Sequence, residues 1–77
     1  MAYARFGRES DIYVFQAVEG MICQRCKLND YGDTLLRSRS LMLEHMNAHL
    51  QAGDKVPDYA FEELRADLAK NGDVIEQ

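Results

Sequence analysis

The sequence predicts a small α+β domain: a β-hairpin and a helix pinned together by one metal ion, with an additional helix behind them. Three observations predict it. Cys23, Cys26, His45 and His49 fall in the spacing C-x₂-C-x₁₈-H-x₃-H. The stretch from Ile12 to Val18 is β-branched and aromatic, the composition of a strand. Apolar residues then recur at helical spacing over residues 39–52 and again over 58–71.

The length makes the metal important. Seventy-seven residues form one domain. A core of this size rarely supplies more than roughly 3–5 kcal/mol, so domains this short recruit disulfides, a metal or a partner subunit. The chain is 47% hydrophobic, which excludes disorder by composition. It has no long apolar run and opens with no signal-peptide pattern, so no membrane span is expected. That points to a cytoplasmic, reducing setting, where two cysteines are better read as metal ligands than as a disulfide.

Taken in order, Tyr3 to Phe6 is an edge strand or a packed N-terminal arm, and residues 7–10 are a loop. Residues 12–23 form a hairpin, with Glu19-Gly20 as its tight turn and Met21 to Cys23 returning. The metal knuckle is 23–26. Residues 27–34 are rich in turn formers and read as a loop. Thr34 to Arg37 suits a short third strand. Ser38 suits an N-cap, because its hydroxyl can accept from an orphan N–H of the first turn. The helix 39–52 ends at Gly53. Around it, Leu41, Met42, Leu43, Met46 and Leu50 share one arc of roughly 200° with both histidines, so the imidazoles point at the core. Residues 1–53 thus make the metal-pinned unit and 54–57 a linker. Pro57 suits the first turn of a helix over 58–71, and 72–77 is expected to be a flexible tail. Ala60, Phe61, Leu64 and Leu68 form a narrow stripe on that second helix. The stripe either docks on the hairpin aromatics Tyr13 and Phe15 or stays free for another chain.

Charge is uneven. Residues 21–43 carry Arg25, Lys27, Arg37 and Arg39 against Asp30 and Asp33, a net of +2 within a chain of net −4. Residues 44–77 carry three cations against eight acids, a net of −5. Overall acidity argues against a generic nucleic-acid binder.

Two thiolates two residues apart grip one ion from a tight turn, and two histidines four apart lie on one helix face. Two sulfurs and two nitrogens close a tetrahedral zinc shell. The chain's only two cysteines and only two histidines all fall in the pattern. Buried structural cysteines or core histidines explain single residues but not the four together. A redox pair at Cys23 and Cys26 lacks the βαβ context it needs.

These residues resemble the two-cysteine, two-histidine zinc finger with a ββα fold. The likeness lies in Cys23-x-x-Cys26, an apolar Leu36, Leu41 and Met42 before the first histidine, and His45-x-x-x-His49. It implies one structural zinc ion under a small zinc-stabilised ββα-like finger. The spacer of eighteen departs from the usual twelve or so, with the extra length at Asn29 to Asp33, and the strand pair before the cysteines is a second departure. A broader likeness covers Ala4 to Gly7, Asp11 to Val14, the four ligands, Val56 to Tyr59 and Leu64 to Asp67. There the chain is similar to short proteins encoded by phages of actinobacteria, which implies the host cytoplasm.

No enzyme is expected. His45 is followed by Met46, so neither H-E-x-x-H nor H-x-E is present, and four protein ligands leave no place for an activated water. No small-molecule substrate is expected either. The expected role is recognition of a protein partner through Tyr59, Glu62 and Glu63. The alternative is nucleic-acid binding through Arg25, Lys27, Arg37 and Arg39, which flank the knuckle and the helix N-terminus, a place that favours phosphate.

Overall fold

In the computed structural model, which describes residues 2–75, the apolar run after Asp11 becomes an inner strand of a four-stranded antiparallel sheet. The strands are β1 (Ala2–Ala4), β2 (Tyr13–Ala17), β3 (Gly20–Gln24) and β4 (Thr34–Leu36), neighbouring one another in sequence order. Helix α1 spans Arg39–Gln51 and α2 spans Asp58–Asn71. The fold is α+β, as the sequence predicts, with β3, the knuckle, β4 and α1 making a ββα unit that β2 and β1 extend. No helix of the described residues is long and apolar enough to cross a membrane.

The hairpin turn sits one residue earlier than expected. Ala17 pairs with Gly20, leaving Val18 and Glu19 as the turn, and Gly20 opens β3. Glycine is required there. Its φ is +149°, and a Cβ would lie 2.7 Å from the Leu36 carbonyl oxygen across the strand pair. β1 is a true edge strand, paired with β2 through Ala2–Phe15 and Ala4–Val14 with an irregularity between them. The loop over 27–34 contains a 3₁₀ turn at Lys27–Asn29.

Period-two alternation assigns the faces. Val14, Met21 and Cys23 point inward and are fully buried. Both helices cover this side, where Met42 and Met46 of α1 and Ala60 and Leu64 of α2 complete the core. Ser38 caps α1 as expected, its hydroxyl accepting from Leu41 N–H. The buried stripe of α1 is narrower than the sequence arc, because Leu41 and Leu50 are half-exposed at its margins.

The second helix docks, but not on Tyr13 and Phe15. It packs on α1 and β1 from the inner side, while those two rings belong to the opposite face of the sheet. The Tyr3 hydroxyl donates to the Asp67 carboxylate and ties β1 to α2. The radius of gyration is 11.3 Å, close to the roughly 11.5 Å of a compact domain this long, so no helix is splayed.

The expected flexible tail is corrected over 73–75. Arg39 N–H donates to the Asp73 carbonyl and Ile75 N–H to the Arg37 carbonyl, while Ile75 is buried. One apolar side chain and two backbone bonds hold this segment to the start of α1. Residues 76 and 77 lie outside the described residues.

Candidate metal centre

Local backbone shape builds the knuckle. Arg25 adopts the left-handed region with φ of 49°, curling the chain between the two cysteines. The Asp33 carboxylate accepts from Arg25 N–H at 3.0 Å. The Cys26 carbonyl accepts from both Asn29 and Tyr31 N–H, each at 2.9 Å, and Cys26 N–H donates to the Gly32 carbonyl. Cys23 faces inward one residue before the end of β3, and Cys26 turns back beside it. Both are free thiols and both are buried.

From α1, His45 and His49 reach the same point one turn apart. Their Nε2 atoms are 3.2 Å apart. The Cys26 Sγ lies 3.2 Å from His45 Nε2 and 3.5 Å from His49 Nε2, and Cys23 Sγ lies 3.6 Å from His49 Nε2. All four ligand atoms fall within 4.8 Å of one another. A tetrahedral ion with metal–sulfur bonds of about 2.3 Å and metal–nitrogen bonds of about 2.0–2.1 Å needs edges of about 3.3–3.8 Å. Four of the separations, 3.2–3.6 Å, lie at or near these edges, while the set as a whole spans up to 4.8 Å and must tighten around an ion; the four residues are positioned to bind one metal ion.

The pocket is hostile to bare charge. Burial pushes the Cys23 thiol well above its ordinary value, and the neighbouring Cys26 adds to this. Burial, and then His49, pull His45 down. A cation placed between them reverses the first effect, because a coordinating thiol is deprotonated. Neutral imidazoles present their Nε2 lone pairs without further change.

One functional residue was missed in the sequence. The Asp54 carboxylate lies 2.8 Å from His49 Nδ1. A carboxylate at the far nitrogen fixes the tautomer and aims the other nitrogen at the ion. The placement follows from the helix end. Gly53 takes φ of 94°, its N–H donates to the Leu50 carbonyl, and Asp54 N–H donates to the His49 carbonyl. This is a Schellman end, which sets the second residue after the cap beside the third-last helical residue. An acid immediately after a helix-ending glycine, with a ligand histidine five residues back, is the signal that reveals it. The same hydrogen bond, above all, holds the Asp54 carboxyl below the usual carboxylate range.

The four basic residues do not form one cluster. Arg25 and Lys27 line a shallow depression with Phe6 and Tyr31, and Lys27 Nζ is 3.5 Å from Asp54. Arg37 sits at the other end of β4 against Gly20. Arg39 is corrected: it is buried and donates from Nη1 to the Gly72 carbonyl at 2.8 Å. The N-terminus of α1 is also filled, since Asp73 Oδ1 accepts from Ser40 N–H at 2.8 Å and from the Ser38 hydroxyl at 2.9 Å. An internal carboxylate thus takes the position a phosphate would need. Of the residues expected to meet a protein, Tyr59 is 44% exposed and Glu62 and Glu63 are exposed beside it on the outer face of α2. Comparison with protein-family models, with curated proteins and with solved structures gives no match to this chain, so the reading of its site rests on the arrangement of its own residues.

Proposed function

We propose that this chain is a non-enzymatic recognition module whose fold is completed by one structural zinc ion, and that it engages a protein partner. The convergence of two thiols and two imidazoles, all four ligand atoms within 4.8 Å of one another, carries the reading. Sulfur and nitrogen donors in a tetrahedron favour zinc over the harder cations. A shell filled by four protein ligands leaves no open position for an activated water, which supports a structural ion. Cys23, Cys26, His45 and His49 hold it, and Asp54 orients His49. When bound, the ion joins the end of β3 to the middle of α1, two segments that otherwise meet only through a small core.

The partner-facing reading rests on α2. Its inner stripe is spent on the core, while Tyr59, Glu62 and Glu63 remain outward as an aromatic ring beside two carboxylates. That combination suits a basic protein surface.

Native mass spectrometry of the purified chain tests the metal: one zinc per chain is expected, and folded metal-free protein refutes it. Cross-linking in the native host tests the partner. A cross-linked protein lost on charge reversal at Glu62 and Glu63, with zinc content unchanged, supports the assignment; a cross-link that survives the reversal refutes it.

A further inference from the structure

An antiparallel sheet covered on one side ordinarily turns polar residues to water on the other. This sheet does not. Its uncovered face presents Tyr13, Phe15 and Ala17 from β2, Ile22 and Gln24 from β3, and Leu35 from β4. Phe6, 46% exposed, leans onto Tyr13 with ring centroids 5.5 Å apart, and Tyr13 meets Phe15 at 5.8 Å. Three rings thus run as a row across a face that neither helix approaches.

The rim of that row is basic. Arg5 borders Tyr13 and Phe15 at one margin. Arg25 and Lys27 border Phe6 together with Tyr31, itself 69% exposed. Arg37 follows Leu35 on the same face by alternation and lies against Gly20. No strand contributes a carboxylate to this face among the described residues. The acids bordering it lie in loops and turns: Asp33 accepts from Arg25 N–H, Asp11 lines the same depression as Arg25 and accepts from Lys55 N–H, Glu19 lies in the hairpin turn, and Asp54 lies 3.5 Å from Lys27. In a chain of net −4, α2 carries Asp58, Glu62, Glu63 and Asp67, and Glu63 lies beside Arg5 at the edge of β1.

We propose that this outer sheet face binds single-stranded nucleic acid, with bases stacking on Tyr13, Phe15 and Phe6 and phosphates meeting Arg5, Arg25 and Arg37. One exposed ring, Phe6, and two half-buried ones, Tyr13 and Phe15, within a cationic margin supply the two parts that sequence-tolerant single-strand binding requires. A second copy of the chain is disfavoured, because a two-fold face-to-face contact brings the same basic margins together. A duplex is disfavoured too, because paired bases offer no free ring faces to a flat sheet. This surface is separate from the α2 face of the proposed protein contact, and it stands or falls without it.

The test uses the full zinc-loaded chain and fluorescence anisotropy at low salt. Probes are labelled single strands of twelve thymidines and of twelve uridines, a duplex of the same length, heparin and poly-glutamate. Binding to a single strand in preference to the duplex is expected. Phe15→Ala is expected to weaken it about 5- to 100-fold. Phe15→Leu, which keeps apolar packing and removes the ring face, should do the same with unchanged zinc content and circular dichroism. Arg5→Ala and Arg37→Ala should each lower the salt slope by about 0.7. No binding at low salt, a preference for the duplex, or binding indifferent to Phe15→Leu overturns the proposal. Binding of poly-glutamate alone that depends on Phe15 also overturns it, and assigns the face to an acidic protein.

Discussion

Replacing Asp54 with alanine removes the carboxylate behind His49 and leaves all four ligands in place. The His49 Nδ1 contact is 2.8 Å long, and Asp54 is the charged partner that orients this fully buried ring. Loss of such a partner typically weakens metal affinity 10- to 100-fold, or about 1.4–2.7 kcal/mol. With metal in excess, that difference passes directly into the stability of the loaded fold. For a domain of this length it corresponds to a fall in melting temperature of roughly 6–20 °C. The affinity is measured by competition with a chromophoric chelator, and the melt by circular dichroism at fixed free zinc. Lys27→Ala is the control. It removes only the half-exposed partner of Asp54 at 3.5 Å, an ion pair worth about 0–1 kcal/mol. Asp54→Ala within two-fold of the parent affinity refutes the ring-orienting role. An equal loss in Lys27→Ala refutes it as well, because the charge network would then matter rather than the imidazole.

Three further outcomes follow from the same geometry. Leu64 is fully buried between α2 and the rest of the core, so Leu64→Ala costs about 2–5 kcal/mol; a denaturant melt of the zinc-loaded chain should show that loss against the parent, and an unchanged midpoint refutes the packing. Gly20→Ala places a Cβ 2.7 Å from the Leu36 carbonyl in a backbone conformation that disfavours side chains, costing about 1–3 kcal/mol in a denaturant melt; an unchanged midpoint would show the hairpin relaxing freely. Zinc loading at pH 7 should release one to two protons per ion, because an unbound thiol, with an ordinary pKa of about 8.5, is mostly protonated there and a bound thiolate must give its proton up. Burial already lowers His45, so that ring contributes none. Calorimetry in buffers of differing ionisation enthalpy reads the number, and zero release contradicts thiolate ligation.

The parts of the fold legible in the sequence are those fixed by neighbouring residues. Ser38, Gly53 and Pro57 mark helix ends through capping chemistry that acts within one turn, and the helices begin and end within a residue of expectation. The ligand spacing was legible for the same reason, since a knuckle and an i, i+4 pair are local devices. The face on which α2 docks was not. Its stripe of Ala60, Phe61 and Leu64 states only that something must be covered, and both sides of the sheet offered apolar residues. Arg39 misled because a basic residue at the start of a helix reads as exposed, whereas the Gly72 carbonyl drew it inward. Ile75 had no periodic partner to announce it.

Two glycine–aspartate pairs share one logic that explains how α1 is held. Gly53 and Gly72 both take positive φ at the end of a helix, and each turns the aspartate that follows it toward α1. Asp54 grips His49 near the C-terminus of α1, where it orients a metal ligand. Asp73 returns from the end of α2 to the N-terminus of α1, where Ser40 above all, and then Ser38, donate to it and keep its carboxyl below the ordinary range. The negative charge there suits the positive end of the helix dipole. The helix that carries both histidines is thus fixed at each end by a carboxylate supplied from outside it. In the folded chain the imidazoles thus sit on a helix that α2 and the 73–75 segment also hold in place. Preorganised ligands lose less freedom on binding, and in a chain with so small a core this is why the second helix belongs to the metal site rather than standing apart from it.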